Sequence, residues 1–211
     1  IEAIGGITVI ATDKTGTLTK NQMRVTQYWF PNRAFSIKDA PNASYKLLSD
    51  LFIRTCIYCN NATLSPANSP DYYEIIGDQT EGALLLFAQQ QHIDVKKVKT
   101  LSTLIDEHAF DAVTKTMSVI VKDHTGTHVY SKGAPESILE RSTHIHTASG
   151  VRAITQKDKD TIITEYEQFA KQGLRTIALG VKKVQGALNS RHAVESKLTF
   201  IGFAGIADPP R

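Results

Sequence analysis

Ile7-Thr8-Val9-Ile10-Ala11 is a nearly continuous run of β-branched and apolar residues that breaks off just before an aspartate, Asp13. A run this short and this apolar predicts a strand buried on both faces of a parallel sheet. Open α/β sheets place their ligand crevices outside the carboxyl ends of such strands. Asp13 stands at that end, followed by Lys14-Thr15-Gly16-Thr17-Leu18-Thr19. A carboxylate there can act as a covalent nucleophile toward phosphorus. Lys14 adds positive charge, Gly16 permits a sharp turn, and Thr15 and Thr17 offer hydroxyl and backbone groups to phosphate oxygens. The same residue types also suit an ordinary polar turn.

The rest of the chain does not continue as repeated βαβ units. Met23 to Phe30 reads as a strand, Pro31 to Ser44 as a loop, and residues 45–62 as an amphipathic helix. Ser65 to Pro70 reads as a loop. Asp78-Gln79-Thr80-Glu81 opens a helix whose apolar body is Ala83 to Ala88. Residues 101–110 and Met117 to Lys122 read as strands, and Asp123-His124-Thr125-Gly126 turns the chain back into a hairpin partner, Thr127 to Ser131. A short helix over Pro135 to Arg141, a longer one over Gln156 to Gln172 closed by Gly173, and strands over Arg175 to Val184 and Leu198 to Ile206 complete the pattern. One parallel-type strand followed by mixed strands and helices predicts an α+β domain inserted into an α/β domain, of which only the edges are present.

Composition narrows the function classes. With 41% apolar and 21% charged residues, the 211-residue chain is an ordinary globular one, not a disordered or low-complexity one. A net charge of +3 is too slight for the clustered basic face of a nucleic-acid partner. No stretch of 18 apolar residues spans a membrane, and no basic-apolar-small leader opens the sequence. The start at Ile1 without a methionine points to a piece of a longer protein. Cys56 and Cys59 form C-x-x-C without a second ligand pair, on a helical rhythm set by Leu48, Leu51 and Phe52, which predicts two reduced core thiols and not zinc or redox work. His144 and His146 lack a third ligand and are expected in a solvated loop, and Lys96-Lys97-Val98-Lys99 is expected as a solvated face.

Asp13-Lys14-Thr15-Gly16-Thr17-Leu18-Thr19, with the flanks Ile1-Glu2-Ala3-Ile4-Gly5-Gly6 and Asn21-Gln22-Met23, resembles the phosphorylation motif of the P-type ATPases, a branch of the haloacid dehalogenase superfamily. The resemblance implies that Asp13 becomes a phosphoaspartate at the expense of ATP. It further implies that Lys14 lends charge to that catalytic loop, and that Asp13 and the Thr15 carbonyl hold Mg²⁺. Lys132-Gly133-Ala134-Pro135-Glu136 resembles the family's nucleotide-domain signature, and Phe110 to Val119 resembles its adenine-stacking segment. That assigns Phe110, Lys115, Lys132 and Gly133 to the nucleotide. Gly77-Asp78-Gln79-Thr80-Glu81 resembles the segment whose glutamate meets the adenine amino group, and Gly173-Leu174-Arg175 the strand entry whose arginine reaches the phosphates. Glu81 and Arg175 follow, although Asp78 and Glu81 also read as a capping box. One departure is Ala112, where type II pumps often carry a basic residue.

Asp208-Pro209-Pro210-Arg211 resembles the hinge that returns to the phosphorylation domain, so the resemblance covers essentially the whole chain. It implies residues 1–22 as a partial phosphorylation domain, 23–203 as a nucleotide-binding domain built on a mixed or antiparallel sheet flanked by helices, and 204–211 as the second hinge. The implied partners are ATP and the remaining phosphorylation, actuator and membrane domains of a calcium-pump-like protein, with this chain on the cytosolic side. The family's second magnesium carboxylate, in a Gly-Asp-Gly-x-Asn-Asp loop, does not occur in these residues, so the isolated chain is expected to bind nucleotide without turning it over. A pump for Na⁺, H⁺ or another cation, and a stand-alone nucleotide-binding regulatory module, remain the alternatives.

Overall fold

The computed structural model describes residues 22–66, 73–184 and 190–208, with single positions at 8, 9, 12, 17, 19, 186 and 188. Strands β1 (Arg24–Phe30) and β2 (Arg33–Ser36) form a hairpin over Pro31-Asn32, with Asn32 at φ +74. The stretch expected to be a loop from Pro31 therefore begins with a strand. Phe35 stacks on Tyr28 with ring centroids 5.2 Å apart, and burying that pair favours pairing over a free loop.

Helix α1 (Lys46–Tyr58) follows a 3₁₀ turn over Ala43–Tyr45 and ends earlier than the expected residue 62. The cause is Asn60, whose side-chain amide donates to the Cys56 carbonyl at 3.0 Å and so satisfies a last-turn acceptor that a continuing helix would use. β3 (Thr63–Pro66) and β4 (Tyr73–Ile76) make a separate two-stranded ribbon, so part of the expected loop over 65–70 is strand. Pro66 is tolerated because it sits at the end of β3.

Next come α2 (Gln79–Gln90), α3 (Val95–Thr100), β5 (Thr103–Asp111), β6 (Thr116–Asp123), β7 (Gly126–Gly133) and α4 (Pro135–Glu140). The lysine cluster on α3 is exposed, as expected, while Val98 packs inward. β8 (Ser142–Thr147) and β9 (Gly150–Ala153) correct the reading of His144 and His146 as loop residues. Both lie on β8, and His146 is only 6% exposed, because β8 pairs in parallel with the last strand and antiparallel with β9. α5 (Gln156–Lys171) starts at a capping box between Thr155 and Asp158 and is followed by Gly173 at φ +77. β10 (Arg175–Lys183), α6 (Arg191–Glu195) and β11 (Leu198–Ala207) close the chain.

Seven strands run in the order β2-β1-β11-β10-β7-β6-β5, all antiparallel, and β8 with β9 branches off β11. The first half of β11 pairs with β8 and the second half with β1. The expected α+β architecture, a mixed and mainly antiparallel sheet flanked by helices, is what the chain forms. Both faces are covered. Phe52, Ile57, Leu84 and Ile201 belong to the core under α1 and α2, whereas Ile138, Ile162, Phe169 and Phe203 belong to the core under α4 and α5. Each such side chain contributes on the order of 1.5–3 kcal/mol by leaving water.

Gly202 lies in β11 at φ +140, where a Cβ would stand 2.3 Å from the Trp29 carbonyl oxygen. Gly202→Ala is therefore expected to destabilise the chain by about 1–3 kcal/mol or more, read as a lower urea midpoint at unchanged slope. An unchanged midpoint would contradict this placement.

Both cysteines are free and fully buried, as expected. Burial pushes the Cys59 thiol up to about 12, against the opposing pull of Lys132, and raises Cys56 as well. Neither thiol should react with an alkylating reagent near neutral pH until the chain is unfolded. Rapid stoichiometric labelling of the native chain would refute that.

Candidate functional site

α1, α2 and β7 converge on one ion pair. Glu81 is the third residue of α2, whose N-cap, Asp78, accepts from the Glu81 amide at 2.9 Å. The capping box is only half formed, because the Glu81 side chain turns away from the helix start. Its Oε2 accepts from the Asn61 amide at 2.8 Å and the Ala62 amide at 3.1 Å, and its Oε1 accepts from Lys132 Nζ at 2.7 Å. The Lys132 and Glu81 side chains are 8% and 16% exposed. Asn60 ties the same corner together, donating to the Glu81 carbonyl at 2.8 Å while its side-chain oxygen accepts from Ala62. The sequence assigned none of Asn60, Asn61 and Ala62 to the nucleotide site. The consecutive asparagines just past a helix end were the available signal.

Opposite this pair runs the β5–β6 turn. Asp111 Oδ1 accepts from the Val113 and Thr114 amides, and its carbonyl accepts from the Lys115 amide at 2.7 Å. This tight turn puts Lys115 at φ +53. Lys115 Nζ reaches Glu136 Oε1 at 3.0 Å, a surface pair. Burial acts to raise the Glu136 carboxyl, but hydrogen bonds from its own backbone and from Lys115 bring it below its usual range. A Cβ on Gly133 would stand 2.3 Å from the Lys115 carbonyl oxygen, so the absent side chain makes room for this turn. Ala134 then donates to that carbonyl at 3.1 Å.

The result is a cleft of about 520 Å³ lined by Glu81, Phe110, Lys115, Lys132, Gly133 and Arg175 over an apolar floor that includes Leu84 and Ile177. Every residue the sequence assigned to nucleotide lines this one cleft, although the six come from three strands, a turn and a helix. Phe110 is no core residue: it is 61% exposed on the rim. Arg175 opens β10 and is exposed, with no ion-pair partner among the described residues. Ala112 is exposed on the same turn as Lys115. Among the described residues no three His, Cys, Asp or Glu side chains gather as a metal site.

A family model described as the P-type ATPase cytoplasmic domain N matches residues 49–211. The chain belongs to the P-type ATPase family. A sodium/potassium exporting P-type ATPase of Schizosaccharomyces pombe is 31% identical over the whole chain, which covers 24% of that relative. A calcium-transporting ATPase of Bacillus subtilis is 30% identical with 25% of it covered, and a plasma membrane calcium-transporting ATPase of Oryctolagus cuniculus is 32% identical with 18% covered. The chain thus spans about a quarter or less of the length of these relatives. No helix among the described residues of this P-type ATPase domain is long and apolar enough to cross a membrane.

Asp13, Lys14 and Thr15 lie outside the described residues, as do Pro209, Pro210 and Arg211. Asp208 is described: its carboxylate accepts from the Thr19 hydroxyl and from the Gln22 amide at 3.0 Å. In this P-type ATPase domain, the segment entering the sheet and the segment leaving it are thereby tied side by side.

Proposed function

We propose that the chain is the ATP-binding cytosolic domain of a cation pump that works through a phosphoaspartate at Asp13. The cleft carries this reading, because it joins an exposed aromatic face to three cations in a family of ATPases. Phe110 offers its ring to adenine. Glu81 uses three of its four lone-pair sites on Lys132, Asn61 and Ala62, which leaves one on Oε1 for the exocyclic amine of the base. Lys132, paired with Glu81, and Lys115, paired with Glu136, each keep further ammonium donors for the nucleotide, while Arg175 is the cation of the cleft whose charge has no ion-pair partner among the described residues. Ala112 adds no charge there, and the phosphate contact falls to Arg175.

In the phosphoryl transfer, an Asp13 carboxylate oxygen bonds to the γ-phosphorus while the bridging β–γ bond breaks and ADP leaves with the electron pair. Mg²⁺, which the resemblance assigns to Asp13 and the Thr15 carbonyl, would offset the charge gathered by carboxylate and phosphates. The remaining phosphorylation, actuator and membrane domains would belong to the longer parent. We assign Ca²⁺ as the transported ion, the ion named for the Bacillus subtilis and Oryctolagus cuniculus relatives. The sodium/potassium exporter among the relatives makes Na⁺ the competing assignment.

Titrating ATP into the 211-residue chain should move the amide signals of Phe110, Lys115, Lys132 and Gly133 and produce no steady phosphate release. Absence of saturable binding would overturn the nucleotide reading. Steady Mg²⁺-dependent release would overturn the view that the chain needs the rest of a pump for turnover.

A further inference from the structure

A second cleft, of about 590 Å³, is built on a buried carboxylate and lined by more positive than negative charge. Glu195 in α6 is 3% exposed. Its Oε1 accepts from the Ser118 hydroxyl and from Arg191 Nε, each at 3.1 Å, and its Oε2 accepts from the Thr116 hydroxyl at 3.0 Å. Arg141 Nε stands 3.9 Å from the same Oε2. One negative charge therefore holds two guanidinium groups, and three of the carboxylate's four acceptor sites are taken up by donors from the fold, with Arg141 facing the fourth.

The guanidinium groups are fixed further by the backbone. Arg191 Nη2 donates to the Thr116 carbonyl at 2.7 Å, and Arg141 Nη1 to the Ser137 carbonyl at 3.0 Å. Arg191 Nη1 makes no hydrogen bond among the described residues, so its two donors are oriented and unspent. Lys197 is exposed, held at φ +56, and has no ion-pair partner among the described residues. Beneath it, Lys182 Nζ donates to the Ala193 and Ser196 carbonyls. Burial and then the nearby charge of Lys197 lower the Lys182 pKa, in keeping with a local surplus of positive charge. The acidic counterweight on the rim is Glu140, 3.8 Å from Arg141 and 83% exposed.

We propose that this cleft is a second anion site, separate from the nucleotide cleft, that takes a small phosphate-class oxyanion such as inorganic phosphate or pyrophosphate. Pre-oriented guanidinium donors match the geometry of phosphate oxygens and lose little freedom on binding. Among the described residues no Phe, Tyr or Trp lines this cleft, in contrast to Phe110 in the first, and the ring found there is the smaller His192 imidazole, so a nucleobase would meet no broad stacking face. The buried Glu195 orients the arginines without cancelling them. This second cleft shares no lining residue with the first, so its anion binding does not depend on ATP there.

The test is a titration of the 211-residue chain with pyrophosphate, followed by amide signals. Shifts should centre on Thr114, Thr143 and Arg191 to Lys197 and should saturate by millimolar concentration. Removing one charge-assisted contact, in Arg191→Gln or Lys197→Gln, should weaken binding about tenfold or more. Lys197→Gln changes an exposed side chain and keeps the fold, so it remains informative even where Arg191→Gln unfolds. Lys197→Arg should restore affinity. No saturable binding, shifts centred on Lys132 and Arg175, or unchanged affinity in a folded Lys197→Gln chain would each overturn the proposal.

Discussion

In the parent pump, Asp13→Asn should leave no acyl-phosphate while ATP still binds. The physical basis is the difference between a carboxylate and an amide. An amide oxygen has neither the negative charge nor the nucleophilicity to displace ADP from the γ-phosphorus, and no neighbour can supply a replacement within the same geometry. Nucleotide affinity should change little, because the cleft lined by Phe110 and Lys132 is assembled from β5, β7, β10 and α2. Removing the nucleophile's charge also lessens its repulsion of the triphosphate, so any shift in affinity should be toward tighter binding. Radiolabelled phosphate incorporation from ATP, with acid-stable protein as the readout, measures the first part, and equilibrium nucleotide binding measures the second. Acid-stable incorporation persisting in the Asp13→Asn pump would remove Asp13 from the reaction.

The site was legible in the sequence where its residues come in short local motifs. Lys132-Gly133-Ala134-Pro135 places an ammonium, a close approach and a helix start in four consecutive positions, and all lie where strand β7 meets α4. The role of Gly133 was read only in part: the room it leaves is filled by the Lys115 carbonyl. What holds Glu81 was not legible. Its carboxylate is fixed by backbone amides of Asn61 and Ala62, and backbone donors carry no residue signature. The second cleft was hidden for a related reason. Glu195, Arg191, Thr116, Ser118 and Arg141 span a sequence separation of 79 residues and meet only through the sheet.

Fold class followed from periodicity, but strand order did not. Arg24 in the first strand pairs with Ala207 in the last, and no local pattern announces a partner that far away. The short elements were missed for different reasons. β2 hides behind turn residues, Pro31 and Asn32, that also suit a loop. β8 carries two histidines, which read as polar until its pairing with β11 buries His146. α3 and α6 have six and five residues, too few for a helical period to stand out.

Lys132→Ala and Phe110→Ala should both weaken ATP binding, and salt should tell their physics apart. Phe110 acts by stacking, worth about 1–3 kcal/mol by analogy with base–aromatic contacts. Losing it removes no charge, so added salt should weaken the Phe110→Ala variant as it weakens the parent chain. Lys132 differs because of Glu81. Removing the ammonium deletes a charge-assisted contact worth roughly 1.5–3 kcal/mol, or about ten- to hundredfold in affinity. It also leaves the Glu81 carboxylate, 2.7 Å from where the ammonium stood, facing a polyanion from a poorly solvated position. Salt screens that repulsion as well as the remaining attractions, so the affinity of Lys132→Ala should fall less steeply with ionic strength. Adding Glu81→Gln to Lys132→Ala should recover part of the loss, because the unpaired charge is gone. Calorimetric titrations of the chain, both single variants and the double variant at low and high salt give all the terms. Parallel salt dependences for Lys132→Ala and Phe110→Ala would show that Lys132 does not act through charge, and full affinity in a folded Lys132→Ala chain would take it out of the site.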